Sequence, residues 1–331
     1  MPSNIVVTAA QLTQWIRTEF ADAYKLAADG LGPRIDAMMQ RGIPSNALTE
    51  FYGYFEAAPY PRRWPRGTNI TSENFLSQTF SVVNYDWGRR VPWHRNDRRD
   101  DRTQSLLDQA RSCGEHWATL DERVFFQIVR AAADVNLLPA IPNAPDGAVL
   151  YATTAGGAAR FGVTGGNLIT GNGVAAAQTI RNDFYEARSR FRRFQDQKGQ
   201  PLFSESILDA GYIVIFGAGN EQAFAEAFYQ QMTIGAVGVA PVTAVSNIVK
   251  DQLLNVTLVP TQRITDNDWF IFLKGSPKKP IFSQEREPLR ESFATEDNSD
   301  HARDSGEEYA QWASRRGYGV GPAYGTIEVN N

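Results

Sequence analysis

Two stretches of this chain have the residue types and spacing of phosphate chemistry. The apolar run Tyr212-Ile-Val-Ile-Phe216 leads into Gly217-Ala-Gly219-Asn-Glu-Gln222 and then into a helical pattern. A strand, a glycine turn and a helix in that order can bring a pyrophosphate against the amides of a helix N-terminus. Here Gln222 stands where the third glycine belongs, and no Asp or Glu closes a second strand about 20 residues on. Asn220 and Glu221 are better read as a cap and a charge favoured at a helix start. The second stretch, Gly165-Gly-Asn through Gly171-Asn-Gly173, has a phosphate-loop look but lacks the Gly-Lys-Ser/Thr ending. A nucleotide-binding enzyme is therefore kept only as a lesser alternative.

Other chemistry fares no better. There is no Gly-x-Ser-x-Gly elbow, and the lone cysteine, Cys113, lies on an apolar helical stripe where a small buried hydrophobe is the default. His94, His116 and His301 are scattered and, with one cysteine, give no metal-ligand spacing. The paired carboxylates Asp100 and Asp101 adjoin arginines and read as salt-bridged or helix-starting groups. The expectation is no catalytic residue, no cofactor and no metal.

Charge is the more informative chemistry. Six lysines stand among 33 basic residues, so the positive charge is mostly arginine, which suits interfacial ion pairs. Arg62, Arg63 and Arg66 lie on one side of residues 60–99, and Arg89, Arg90, Arg95, Arg98, Arg99 and Arg102 on the other. The net charge is −4, so the chain as a whole is not built to cling to nucleic acid or an anionic membrane. No stretch approaches the ~20 apolar residues of a membrane span. The N-terminus shows no signal-peptide pattern.

The elements that would carry these charges follow from periodicity. Leu106, Ala110, Cys113, Trp117, Leu120, Val124, Ile128, Ala131 and Val135 recur every three or four positions, which predicts one long helix over Thr103–Val135, closed off by Pro139 and Pro142. At a rise of ~1.5 Å per residue this is a rod of about 45 Å. Leu12, Ile16, Phe20, Tyr24 and Ala27 predict an N-terminal helical arm, started by Thr8 and ended by Gly30, Gly32 and Pro33. Between them, the alternating run Phe75–Val82 and a second run Tyr85–Trp93, parted by Asn84, read as a long hairpin or extended loop. Such a hairpin is marginal alone, so its cations call for carboxylates from elsewhere. A further helix is expected over Gly173–Gln197. Strands are expected at Tyr212–Phe216, Leu253–Val259, Trp269–Leu273 and Thr326–Val329, and an exposed charged segment over 284–308.

The order of these parts resembles the tailed-phage major capsid fold, and the residues are most similar to the Mu-type major head subunit family. The resemblance is carried by Phe75–Arg95 with Val91-Pro92, Asp100-Asp101, His116-Trp117 and Val124-Phe-Phe-Gln-Ile. It continues in Gly165-Gly-Asn-Leu-Ile-Thr-Gly171, Phe191-Arg-Arg-Phe-Gln-Asp-Gln-Lys-Gly-Gln-Pro-Leu202 and Tyr212–Phe216 with Glu221 and Ala223. Asp268-Trp269-Phe, Lys279-Pro280 and Arg316-Gly-Tyr-Gly319 complete it.

The resemblance implies an α+β chain with an N-terminal arm (1–59), an extended β-hairpin loop (60–99), a peripheral domain with a spine helix (100–174, the helix 100–135), an axial domain (175–250) and a return segment (251–331). It implies a major capsid protein that self-assembles into hexamers and pentamers of an icosahedral phage head enclosing double-stranded DNA. Its partners would be copies of itself, a portal, a cement protein and DNA touched non-specifically, with no membrane. It would be made in the bacterial host cytoplasm and end in the virion. Some relatives crosslink through a loop lysine; residues 60–99 have none, so a non-covalent shell is expected. Residues 1–59 leave little room for a built-in scaffolding segment, so a separate scaffolding protein is expected. Arg89, Arg90, Arg95, Arg98, Arg99 and Trp93 are expected to contact a neighbouring copy, with Glu285–Asp304 as the source of carboxylates. The alternatives are the shell of a nanocompartment of the same fold and a tail or portal component.

Overall fold

The computed structural model describes residues 8–57, 63, 66, 76–99, 103–229, 232–234, 243–245 and 255–331. It forms two compact units, one from Met1–Glu50, Val82–Phe125 and Ser283–Tyr318, the other from Phe51–Ser81, Phe126–Phe282 and Gly319–Asn331.

In the first unit, helix α1 spans Ala9–Asp36 and starts in a capping box, Thr8 and Gln11 bonding each other's backbone amides. It runs past Gly30, Gly32 and Pro33, where the sequence predicts an end. Burial of Ile35, Met38 and Met39 draws the last turn onto the unit and outweighs the helix breakers. The expected arm is thus packed rather than free: Leu12, Ile16 and Phe20 are buried. Strands β1 (Met39–Pro44) and β2 (Thr49–Ala57) follow.

Strand β3 is a single 19-residue strand, Leu76–His94. The predicted turn at Asn84 is absent, because the Asn84 amide is buried and donates to Ser45 Oγ and the Ala47 carbonyl, both at 2.7 Å. The sheet neighbours of β3 are β13 and β2. Arg62 and most of the residues between β2 and β3 lie outside the described residues. A short helix α2 (Arg95–Arg99) follows.

The spine comprises α3 (Thr103–Ala118) and α4 (Leu120–Val129). The ladder continues through Thr119, which donates to the Glu115 carbonyl at 3.0 Å and accepts from Arg123 at 2.9 Å. The rod is roughly 40 Å long and stops six residues before Val135. The Gln127 side chain folds back on Leu138, donating to its carbonyl at 2.7 Å and accepting from its amide at 3.1 Å. Ala131 turns left-handed at φ 49, and Val135 is exposed. Gly114 lets α1 and α3 close up: a Cβ there would stand 2.5 Å from the Phe20 carbonyl.

In the second unit, the small strands β4 (Thr154–Ala155) and β5 (Ala158–Ala159) pair with each other, and β6 (Leu168–Thr170) joins a larger sheet. Helices α5 (Ala177–Arg193) and α6 (Glu205–Asp209) precede β7 (Tyr212–Gly217). Then come α7 (Glu221–Tyr229), the antiparallel pair β8 (Met232–Ile234) and β9 (Thr243–Val245), β10 (Val256–Thr261) and β11 (Trp269–Leu273). Strand β12 (Ile281–Ala294), helix α8 (Asp300–Ser305), β13 (Glu307–Val320) and β14 (Thr326–Asn330) complete the chain. The two larger sheets have the orders β1-β12-β13-β3-β2 and β10-β7-β11-β14-β6. Strands β7 and β11 are buried along their whole length, as continuous apolar runs between turn signals require. They pack with Phe184, Phe191, Phe194, Phe224 and Phe228 into one aromatic core.

Candidate assembly surface

The expected contact residues sit on β3, whose register against β13 sets what each side chain meets. Trp93 pairs with Glu308, Arg90 with Gln311 and Arg89 with Trp312. Alternation then sends Val91, Trp93, Ala310 and Trp312 to the buried face, where Phe20 of α1 stacks on Trp312 at 4.4 Å between centroids. Trp93 is buried, and its Nε1 donates to Glu308 at 2.7 Å. Within the subunit it is a buried side chain tied to Glu308. Arg89 lies toward the helices and bonds the Cys113 thiol, whose pKa burial raises.

Arg90 points to the opposite, exposed face. Its guanidinium lies 3.9 Å from the centre of the Tyr309 ring and bonds Gln311 Oε1 at 2.9 and 3.3 Å. Stacked and bonded by neutral groups, it is held in a fixed pose. Arg95 is half-buried, its amide donating to the Gly306 carbonyl at 2.9 Å. The side chains of Arg98 and Arg99 lie outside the described residues.

The acidic stretch is partly spent at home. Glu285 faces Arg316 at 3.5 Å, Glu287 faces Arg290 at 3.7 Å, Glu291 meets Arg17 at 2.5 Å and Asp300 meets Arg303 at 3.1 Å. Two of these pairs are local, three residues apart, whereas Glu285 meets Arg316 from the neighbouring strand β13 and Glu291 meets Arg17 from helix α1, which local sequence does not display. Behind them Asp121, buried, accepts the Tyr318 hydroxyl at 2.8 Å, with Arg316 at 3.6 Å and Arg41 at 3.8 Å. Burial works to lower the Arg316 pKa, yet Asp121 and Glu285 hold it above its ordinary value. Burial, and then Asp121, push the Tyr318 hydroxyl well up, so it stays a donor.

The phosphate-like stretches have structural explanations. A Cβ on Gly217 would lie 2.8 Å from the Ile264 carbonyl, so protein backbone already takes the approach a pyrophosphate would need. Gly165 and Leu168 turn their carbonyls to Arg190 Nη1 at 3.0 and 2.7 Å, and a Cβ on Gly166 would collide with the Ala152 carbonyl. Between them Asn167, fully buried, donates to the carbonyls of Leu150, Ala323 and Thr326. Arg160 is buried with it and forks onto Asp146 at 2.7 and 2.9 Å. A cleft of about 570 Å³ opens beside this hub, lined by Asp146, Phe161, Gln195 and Tyr324 among others. The arginine face of α5 is likewise occupied: Arg181 caps the end of α7 through the carbonyls of Glu226 and Ala227.

Among the described residues no group of His, Cys, Asp and Glu side chains is placed to hold a metal ion, and no helix is long and apolar enough to cross a membrane.

Residues 10–137 match the family described as Mu-like prophage major head subunit gpT. No curated protein sequence matches the chain. Among solved structures, the mature capsid of bacteriophage PhiM1 superposes with a TM-score of 0.53 at 11% identity, over 89% of this chain and 85% of that one. The capsid of a native GTA particle gives 0.53 at 10% identity, over 89% and 88%. The capsid of cyanophage P-SCSP1u gives 0.50 at 12% identity, over 88% and 85%. The fold is that of tailed-phage capsids, as the residue motifs imply.

Proposed function

We propose that this chain, a major head protein of a tailed phage, closes into hexamers and pentamers of an icosahedral shell around double-stranded DNA. The observation that supports the reading most directly is the head-subunit match over the packed helix, strands and spine of residues 10–137. In this reading residues 60–99 are the extended loop and 100–135 the spine region. Residues 175–250 are the axial domain and 251–331 the return. The protein works in the virion after synthesis in the bacterial host cytoplasm, with a separate scaffolding protein, a portal and a cement protein as partners. Its role is structural, without catalysis.

The mechanism follows from multiplicity. Each subunit meets several neighbours, so weak contacts sum to a strong shell. Polar contacts give register and specificity without the permanence of an apolar interface, which suits a shell that must rearrange. Residues 60–99 contain no lysine for a loop crosslink, so the shell is held non-covalently. Arg90, posed on the open sheet face, and Arg95 at its end are the cations offered to a neighbour.

The test is negative-stain imaging of the expressed chain, with the nucleic-acid content of the particles measured. Closed shells are expected. Rings alone would indicate a portal-like or tail component, and shells around protein cargo a nanocompartment. Arg90→Glu with Arg95→Glu should abolish shells while leaving the melting of the free subunit unchanged. Normal heads from that variant would exclude the arginine contact.

A further inference from the structure

Twelve arginines among the described residues face carboxylates. In the turn after β11, Lys274-Gly-Ser-Pro-Lys278-Lys279-Pro280, Lys274 and Lys279 bond neutral oxygens instead. The turn gathers three of the six lysines into six residues. Lys274 Nζ donates to Asn255 Oδ1 at 2.6 Å, and Lys279 Nζ to the Lys274 carbonyl at 3.4 Å. Both acceptors are neutral. Both side chains are half-buried, and burial alone lowers both pKa values, with no carboxylate acting on either. An ammonium held this way has lost part of its hydration without gaining a counter-charge. The turn is braced from beneath: Ser276 is buried and donates to the Lys278 carbonyl at 2.7 Å, and Gly321 donates to the Pro280 carbonyl at 2.8 Å. A rigid, partly desolvated pair of charges loses little conformational entropy when an anion arrives.

The complementary surplus lies in residues 296–308. This stretch carries Glu296, Asp297, Asp300, Asp304, Glu307 and Glu308 against a single arginine, Arg303. Asp300 takes Arg303, and Glu308 takes Trp93. Asp297, Asp304 and Glu307 are exposed and form no ion pair among the described residues. Two different patches of opposite sign on one chain are complementary between copies, each copy offering its cations to another copy's anions.

We propose that the lysine turn 274–279 of one copy docks on the acidic segment 296–308 of a second copy, as an electrostatic contact of the shell. This rests on the assembly reading above and adds to the arginine face a second contact that composition alone hides.

The test is a charge swap in the full chain, read by sedimentation and negative stain. Lys274→Glu with Lys279→Glu, and separately Asp297→Lys with Asp304→Lys, should each cut the shell fraction at least tenfold. The four changes together should restore it. Because Lys279 is half-buried, Lys274→Gln with Lys279→Gln and a thermal melt of each free subunit separate lost docking from lost folding. The neutral pair should melt as wild type and still assemble poorly. Shells formed normally by either reversed pair would overturn the docking, as would failure of the combined variant to recover. Reversed-lysine shells that form normally but hold less DNA would overturn it in favour of phosphate contact. Wild-type protein that never leaves the monomer would sink the assembly reading and this contact with it, whereas wild-type shells indifferent to the swaps would sink the contact alone.

Discussion

The two units are stabilised in contrasting ways. The second is held by an aromatic core, in which Phe216 stacks on Phe224 at 4.0 Å and Trp269 meets Phe224 edge-on at 5.4 Å. Among its buried charges the Arg160 guanidinium is fully wired to Asp146, Asn167 and backbone carbonyls. In the first, a tight helix pair covers a sheet, and charge is shared around Asp121 among Tyr318, Arg316 and Arg41. Apolar burial is not screened by salt, whereas partly exposed ion pairs are. The contrast teaches where this fold can adjust: its aromatic unit should behave as a rigid block, and its charged unit should answer to ionic strength.

The strongest test of that contrast is Asp146→Ala. It leaves the Arg160 guanidinium buried without its counter-ion, a loss of about 3–5 kcal/mol for a broken buried pair. Urea unfolding of the unassembled subunit should show a shift of this size that added salt does not erase. A loss under about 1 kcal/mol would mean that the carbonyls and Asn167 satisfy Arg160 by themselves. Next in size is Gly114→Val in the first unit. The new side chain meets the Phe20 carbonyl at 2.5 Å, a distance real Cβ atoms essentially never show, and crowds the Tyr24 amide at 3.1 Å. Prying α1 from α3 should cost about 1–3 kcal/mol, as overpacking does, and expose the indole of Trp312 to fluorescence quenchers.

The third prediction is a pH dependence inside the aromatic unit. Burial, then Asp268 and Asp266, raise the Glu328 carboxyl to about 7. The folded state therefore binds this proton more tightly than the unfolded chain does. The contribution is fully present below the ordinary carboxylate range and is lost as pH rises through about 7. Stability should fall by up to about 3 kcal/mol over that span, and Glu328→Gln should flatten the slope. An unchanged slope in the variant would assign the dependence to another group.

How much of this was legible beforehand depends on the distance over which each feature is decided. Tyr212–Phe216 and Trp269–Leu273 are readable because a fully apolar run between turn residues needs no partner to declare itself. The stripe from Leu106 to Ile128 is readable for the same reason, since helical spacing is local. The end of that helix is not, because Gln127 closes it through Leu138. The continuity of β3 through Asn84 is set by Ser45 and Ala47, 39 and 37 residues away. The role of Trp93 is set by Glu308, 215 residues away. Residue type alone marks the cationic strand, but which of its arginines face out required the register of β3 on β13, and the neutral acceptors of Lys274 and Lys279 required the hydrogen bonds of the 274–280 turn.

The smallest expected effect isolates the charged unit most cleanly. Tyr318→Phe deletes one hydroxyl and keeps the ring that meets Trp87 edge-on at 5.7 Å. Asp121 would lose its 2.8 Å donor but retain Arg316 and Arg41 nearby, so the carboxylate is not orphaned and the cost should be about 1 kcal/mol. With the hydroxyl gone, Asp121 leans more on the two guanidiniums, and those contacts are long and partly wet. The variant should therefore lose more stability than wild type when salt is raised, read as a larger drop in the urea midpoint between low and high sodium chloride. Equal salt sensitivity would mean that Arg41 and Arg316 contribute little to Asp121, and that the first unit, like the second, rests on its apolar packing.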